Sequence, residues 1–202
     1  MRNILVIYLV IQSVLTHAQQ FKSTDYYAKI PSKIENESEI RVYEGPGISN
    51  SGRIFRIYSE NSKFKAELIQ WYYDKQVSDD EFKSVKPQVT QLKAQKSLEE
   101  IFVSIQAKNI QYLPEEKSFE YKKRRNVSIW DEDEKLWVVE SRVSHVLDGQ
   151  DFRVVYKSGD RVNEFHYFNP KRYLELYPGI DEYENFVEIL SYIEEEFKIK
   201  FN

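Results

Sequence analysis

The segment Lys135–Asn169 constrains the fold of this chain more than any other, because it contains two turn signals between alternating apolar runs. The pairs Asp148-Gly149 and Gly159-Asp160 favour two-residue hairpin turns, in which central residues adopt the positive φ that Gly and Asp tolerate. We therefore expect a three-stranded antiparallel meander over residues 135–168.

The two turns also predict which residues face each other in the meander. The first pairs residues 135–147 with residues 150–157 and places Phe152 opposite His145, while the second places Tyr167 opposite Phe152. Because side chains alternate between faces, both turns give the same apolar face, and a shift of one residue would invert it. The side chains expected on this face are Trp137, Val139, Val143, His145, Phe152, Val154, Tyr156, Phe165 and Tyr167.

Two helices are predicted over residues 97–107 and 182–197, where apolar residues recur at helical spacing. Capping-box patterns open them at Ser97–Glu100 and, with Asp in place of Ser, at Asp181–Glu184. An apolar stripe must be buried, and the meander is the nearest large apolar surface to the second helix. The stripe residues are Leu98, Ile101, Phe102 and Ile105 in the first helix, and Tyr183, Phe186, Val187, Leu190, Ile193 and Phe197 in the second.

Strand-forming residues upstream predict further pairing. Arg53–Tyr58 and Phe64–Tyr73 are expected to form a hairpin around a short polar link, and Ile40–Tyr43 is expected to be one short strand. Ser118–Lys122 and Val127–Trp130 look like strand fragments that lead into the meander.

The expected fold class is therefore α+β. Its antiparallel sheet consists of the meander 135–168 and the hairpin 53–73, and the helices 97–107 and 182–197 pack on one face. The other face carries charged residues and is expected to be wet, as is common in antiparallel sheets. A length of 202 residues suits one domain that can bury a core without disulfides.

The N-terminal residues have the pattern of a signal peptide over residues 1–18. A positive charge precedes an apolar run, and Thr16 and Ala18 stand at the −3 and −1 positions, so cleavage is predicted after Ala18. The apolar run is short for a membrane span of about 20 residues, and the absence of cysteine excludes lipidation at a cysteine after the signal. We expect a periplasmic or secreted protein without a stable membrane anchor after cleavage. Residues 19–39 are expected to be a mobile polar lead-in, and residues 40–202 a single α+β domain.

Composition and motifs argue against several classes of function. The net charge of -4 is modest and spread along the chain, which argues against a nucleic-acid partner. P-loop and dinucleotide-binding motifs are absent, so no cofactor is expected. The acidic run Asp131–Glu134 lacks the pattern of a calcium loop, and no metal is expected. The basic run Lys122–Arg125 precedes it closely enough for the two runs to pair across a turn, and both are interpreted as solvated loop ends. The alternative for the basic run is a site for a phosphate-rich or anionic polymer.

The sequence favours a non-catalytic exported binding domain whose ligand is another protein or a glycan. It contains no pattern of a nucleophile beside a base, which argues against an enzyme. The alternative is a carboxylate-based hydrolase acting on an envelope or extracellular polymer, because the separation of carboxylates is a three-dimensional property. An aromatic set that could form a sugar- or protein-binding platform consists of Trp71, Tyr72, Tyr73, Trp130 and Trp137. The candidate ligand-binding residues, taken from this set and from the polar face of the sheet, are Trp71, Tyr73, Arg153 and His166.

Overall fold

The computed structural model describes residues 23–47, 49–79, 81–146 and 149–201. The strands in these ranges are β1 Ser38–Glu44, β2 Ser51–Glu60, β3 Lys63–Tyr72, β4 Lys75–Gln76, β5 Phe82–Lys83, β6 Gln88–Gln91, β7 Arg125–Asp131, β8 Leu136–Arg142, β9 Asp151–Ser158 and β10 Arg161–Phe168. The α-helices are α1 Thr24–Ala28, α2 Leu98–Ala107, α3 Glu116–Phe119, α4 Pro170–Leu176 and α5 Asp181–Phe197. Two 3₁₀ turns, Ile110–Tyr112 and Glu120–Lys123, flank α3.

A six-stranded antiparallel sheet in the order β10-β9-β1-β2-β3-β6 forms the centre of the fold, and two separate hairpins, β4-β5 and β7-β8, lie outside it. This confirms the predicted α+β class with an antiparallel sheet. β1 lies in the middle of the six strands, and its residues Ile40 and Val42 are fully buried. The strand predicted as a short piece, Ile40–Tyr43, is therefore the one that joins the two hairpins into a single sheet.

Both hairpins that are built into the sheet follow their local turn chemistry. The predicted register of β9 and β10 is confirmed, with Tyr167 opposite Phe152, and Gly159 in the turn has a φ of +58°. The β2-β3 hairpin closes through Asn61 and Ser62, whose φ angles of 51° and 60° are those that a type I′ turn requires.

The first strand of the predicted meander was assigned to the wrong partner. β8 pairs with β7, whereas β9 lies between β1 and β10, so Phe152 faces Glu44 of β1 and not His145. A short acidic turn brings β7 and β8 together locally, and β1 offers β9 a buried apolar row that β8 lacks. As a result, Trp137 and Val139 are each 69% exposed, and His145 is exposed instead of buried. The predicted turn at 148–149 lies partly outside the described residues.

The predicted helices cover one face of the sheet, as expected. The Oγ of Ser97 accepts a hydrogen bond from the backbone N–H of Glu100 at 3.1 Å, which confirms the cap of α2. Asp181 does not cap α5, because the helix already begins at Asp181 and buried Ile180 occupies the cap position. The core of this face consists of apolar residues from the sheet and the helices, among them Phe55, Ile57, Ile101, Phe102, Ile105, Phe152, Val154, Tyr156, Phe165, Tyr167, Tyr183, Phe186, Leu190, Ile193 and Phe197.

The opposite face of the sheet is also covered, by residues that the sequence assigned to a mobile lead-in. Within residues 19–39, the described part contains α1, and Tyr27, Ala28 and Ile30 pack on this face around Trp71. The apolar residues of this segment are few and show no clear periodicity, so the sequence pattern did not predict that it would cover the sheet.

Charged residues on that second face are buried in a network that crosses neighbouring strands. Glu39 and Arg41 of β1 are 0% and 1% exposed and form an ion pair, and Glu39 also binds Arg56 of β2 at 2.6 Å. Arg56 binds Glu67 of β3 at 3.0 Å. Burial alone raises the pKa of Glu39, but the hydrogen bonds from Arg56 and Arg41, joined by one from Asn36, outweigh it and lower the pKa below its usual value. The face expected to be wet is thus a covered ionic layer across β1, β2 and β3, whereas Glu164 and His166 of β10, on the same face, are exposed as expected.

Candidate interaction surface

The β7-β8 hairpin is the largest part of the described chain that lies outside both layers. Its strands pair at seven positions, from Arg125 opposite Arg142 to Asp131 opposite Leu136. The two strands form a sheet of their own, and no other described helix or strand packs extensively along them. A lone two-stranded hairpin is only marginally stable in water, so its isolation is an unusual feature of the fold.

Large apolar side chains on this hairpin face solvent. Soluble proteins rarely expose contiguous apolar patches without an interaction role. Here exposure reaches both faces of the ribbon, because no core lies beneath either. The exposed side chains are Val127 at 41%, Ile129 at 37%, Trp130 at 42%, Leu136 at 45%, Trp137 at 69% and Val139 at 69%.

The two faces of the hairpin differ in chemistry. Alternation places Trp130, Trp137 and Val139 on one side, which we call the tryptophan face. Trp130 and Trp137 are a cross-strand pair whose ring centroids are 5.8 Å apart at an angle of 67°. The other side, which we call the aliphatic face, carries Val127, Ile129, Leu136 and Val138 together with the charged residues Arg125, Asp131, Glu140 and Arg142.

The two ends of the hairpin carry opposite charge. The tip contains Asp131–Glu134, and the base contains Arg124, Arg125 and Arg142, all three of them exposed. Asp131 is six residue steps from Arg125 along β7, so tip and base lie about 20 Å apart at about 3.3 Å per residue. The acidic run and the basic run therefore do not pair across a turn, because they stand at opposite ends of β7.

The lysines of the basic run anchor the hairpin to the rest of the domain. Lys122 Nζ lies 2.7 Å from Asp181 Oδ1 and 2.7 Å from Glu182 Oε1 at the start of α5. Hydrogen bonds to these two carboxylates raise the pKa of Lys122. Buried Lys123 binds Glu116 at 2.8 Å.

A second anchor holds the other strand end. The backbone N–H of Ser144 donates to the hydroxyl of Tyr177 at 2.6 Å. The hairpin is therefore fixed at its base and projects from it.

Its tip is organised by a local turn. Asp131 Oδ1 accepts hydrogen bonds from the backbone N–H groups of Asp133 at 2.9 Å and Glu134 at 3.0 Å. Asp side chains stabilise turns in this way. Among the described residues, no cluster of three or more His, Asp or Glu side chains is arranged to hold a metal ion.

The predicted aromatic candidates lie on β3 and directly after it, far from this hairpin in the chain. Trp71 is 1% exposed and stacks on Tyr27 with ring centroids 5.9 Å apart. A Cβ at neighbouring Gly52 would meet the Trp71 ring at 2.5 Å, so the ring is tightly enclosed. Tyr73 is 42% exposed and packs edge-on against Trp71 at 5.1 Å. Trp71 is thus a core residue, and Tyr73 is a partly exposed ring at the edge of the same aromatic cluster, where it also contacts Tyr27.

The predicted polar candidates, Arg153 and His166, are cross-strand neighbours on β9 and β10. Arg153 Nε binds Glu164 Oε1 at 2.7 Å, and its guanidinium lies over the Tyr43 ring at 4.7 Å. His166 contacts Glu115 through its Nδ1 at 3.4 Å. β9 lies three strand spacings from β3 and β10 lies four, so at about 4.8 Å per spacing Arg153 is at least about 14 Å and His166 at least about 19 Å from Trp71. The four candidates do not converge on one site.

Carboxylates close the β10 edge of the main sheet. The backbone N–H of Phe168 donates to Glu116 at 2.6 Å, and that of His166 donates to Glu115 at 3.2 Å. Covering an edge in this way prevents another strand from adding there.

The carboxylates relevant to a hydrolase are Glu44 and Asp151, which line an open cleft where β1 ends and β9 begins. Glu44 Oε2 lies 2.6 Å from Arg53 Nη2, on the side of the sheet that faces the helices. Asp151 precedes Phe152, which faces the helices, so alternation points it to the other side. Burial raises the pKa of Asp151, His166 opposes the increase and Glu116 adds to it. The two carboxylates are not opposed across the cleft.

Within the described ranges, no helix is long and apolar enough to cross a membrane. Comparison of the chain with protein-family models, with curated proteins and with solved structures gives no match.

Proposed function

We propose that this chain is a non-catalytic interaction domain, and that the β7-β8 hairpin is the element that binds its partner. One observation carries the proposal: six large apolar side chains are exposed on a ribbon that is anchored at its base, and no other described helix or strand packs extensively along it. Two of them are tryptophans, a residue type enriched at the energetically dominant positions of protein interfaces.

The geometry of the tryptophan pair favours a protein over a glycan as the partner. Trp130 and Trp137 meet at 67°, so the rings do not form one flat platform on which successive sugar rings could stack. The aliphatic face has no aromatic ring at all. Mixed aromatic and aliphatic surfaces rimmed by charge are typical of protein interfaces.

We also propose that the domain is exported to the periplasm or the medium. The support is the pattern of residues 1–18, which lie outside the described residues and whose cleavage after Ala18 is part of the proposal. The partner would then be another exported or envelope protein.

Site-specific photocrosslinking in the native host tests the interaction. A photoreactive amino acid replaces Val139 in one variant and Val162 in a matched variant; these residues are 69% and 62% exposed. Val162 lies on β10, away from the hairpin. We expect a discrete adduct from position 139 and none from position 162. Adducts from both positions, or from neither, would contradict the proposal.

One observation favours the alternative, a carboxylate-based hydrolase acting on an envelope or extracellular polymer. Asp151 has a raised pKa in an open cleft, which is a property of catalytic acids. Incubation of the purified protein with cell-wall polymer, followed by measurement of released soluble fragments, tests it. Release that disappears in Asp151→Asn would support a hydrolase, and equal release from both proteins would exclude Asp151 as its acid.

A further inference from the structure

We propose that the partner of the aliphatic face is a second copy of this chain, packed antiparallel so that the acidic tip of each hairpin lies on the basic base of the other. This inference rests on the proposed role of the hairpin as the binding element. It adds the identity of the occupant and its orientation.

Each end of the hairpin is electrostatically unfavourable in a single copy. At the base, Arg125 stands directly opposite Arg142, and like charges in such positions destabilise a strand pair. The nearest compensation is Glu140, which binds Arg142 at 2.7 Å. At the tip, four acidic residues follow one another in Asp131–Glu134. An acidic partner at the base and a basic partner at the tip would relieve both ends.

The order of residues along the aliphatic face is self-complementary. From base to tip, its cross-strand pairs are Arg125 with Arg142, Val127 with Glu140, Ile129 with Val138 and Asp131 with Leu136. With a two-fold axis level with position 128, the Arg125–Arg142 pair of one copy lies against the Asp131–Leu136 pair of the other. The Val127–Glu140 pair of each copy then lies against the Ile129–Val138 pair of the other. An isologous contact of this kind places the same patch on both sides of the interface.

The length of the hairpin fits this arrangement. Tip and base are about 20 Å apart in each copy, so both charge contacts form at the same time in one rigid antiparallel pair. The tryptophan face points away from the contact and stays open to a different protein. An unrelated partner would need to reproduce the same order of charge, which a second copy supplies without further assumption.

The contact is small, which predicts a weak dimer. A ribbon about 20 Å long and about 10 Å wide offers much less than the roughly 800 Å² per partner of a standard interface. Charge contacts at exposed ends are screened by salt, because the Debye length falls from about 10 Å at 0.1 M to about 3 Å at 1 M. We therefore expect self-association that depends on both protein concentration and salt.

Sedimentation equilibrium tests the arrangement by comparing the dimer dissociation constant of the wild-type chain with those of two charge-reversed variants. Arg125→Glu with Arg142→Glu reverses the base. Glu132→Lys with Asp133→Lys and Glu134→Lys reverses the tip and keeps Asp131, whose carboxylate holds the turn. We expect each variant alone to self-associate at least about tenfold more weakly than the wild type. An equimolar mixture of the two should form a dimer again, because its base and tip charges are complementary. The matched control is Arg172→Glu, which reverses an exposed charge of α4.

The outcomes separate this inference from the proposed function. A wild-type chain that stays monomeric at low salt, while position 139 still yields an adduct of another protein, overturns the second copy and leaves the interaction role intact. Dimerisation that survives both charge reversals, or a mixture that stays monomeric, overturns the antiparallel arrangement. A monomer without any adduct would contradict both proposals.

Discussion

Asn169 Oδ1 accepts a hydrogen bond from the backbone N–H of Gln150 at 2.7 Å, directly beside Gly149. A Cβ at Gly149 would come within 1.4 Å of the same oxygen, so only glycine fits beside this side chain. Asn169 itself sits in the left-handed region with a φ of +47°. The hydrogen bond connects the start of β9 to the end of β10. Position 149 is a glycine because the Asn169 side chain occupies the place of a Cβ.

Gly149→Ala should lower the free energy of unfolding by about 1–3 kcal/mol, the usual cost of forcing extra volume into a packed position. Chemical denaturation measures it. The control is the double variant with Asn169→Gly, which removes the obstructing side chain and keeps a residue that tolerates positive φ. The cost of Gly149→Ala should be smaller in that background, and an unchanged cost would show that the clash is relieved elsewhere.

Leu190→Ala tests the packing of α5 on the sheet. Leu190 is fully buried in the middle of the stripe, so truncation should cost about 2–5 kcal/mol of unfolding free energy. Glu195→Ala, at an exposed position of the same helix, should change it by less than about 0.5 kcal/mol. Equal denaturation midpoints for the two variants would mean that the helix is not part of the core.

The parts of this fold that sequence predicts are those whose information is local. The β9-β10 and β2-β3 turns are set by their own residues, and the stripes of α2 and α5 by helical spacing. The partner of β8 is not local information, because the alternating runs on either side of it, Val127–Trp130 and Gln150–Lys157, both fit as neighbours. β8 pairs with β7 because the short acidic turn between them makes the entropic cost of closing the loop small.

The candidate site was missed for a related reason. Trp71 and Trp137 look alike in the sequence, and which of them is buried depends on the strand that covers each. Trp71 is buried because Tyr27, more than forty positions upstream, stacks on its ring, whereas Trp137 stays 69% exposed. In the same way, Glu39 and Arg41 look solvent-facing until Arg56 and Asp25 are brought beside them.

The same two tryptophans provide a matched pair of variants. Trp71→Ala should cost about 3–5 kcal/mol of unfolding free energy, since the ring is enclosed by the second-face core. Trp137→Ala should cost less than about 1 kcal/mol, because its ring packs mainly on Trp130, and should instead weaken the crosslink from position 139. Thermal or chemical denaturation measures both, and a large loss of stability in Trp137→Ala would place the hairpin in the core.

The ionic layer should make the domain sensitive to acid through Glu39. Its pKa is lowered in the folded state from the ordinary value of 4.5, so the ionised carboxylate stabilises the fold above that pH. The stabilisation is lost as the pH falls through the folded pKa, because the unfolded state then binds the proton more readily. The free energy of unfolding of the wild type should therefore decrease as the pH is lowered below about 4.5.

Glu39→Gln removes that ionisation and should flatten the acid limb of the stability curve. At neutral pH it should also cost about 3–5 kcal/mol, since Arg41 and Arg56 lose the carboxylate that compensates their buried charge. Urea denaturation at several pH values from neutral to strongly acidic measures both effects. Glu37→Gln, at an exposed position two residues away, controls for the loss of one carboxylate as such. If Glu39→Gln kept the full acid dependence of the wild type, the sensitivity would arise from other carboxylates and the network would not be its source.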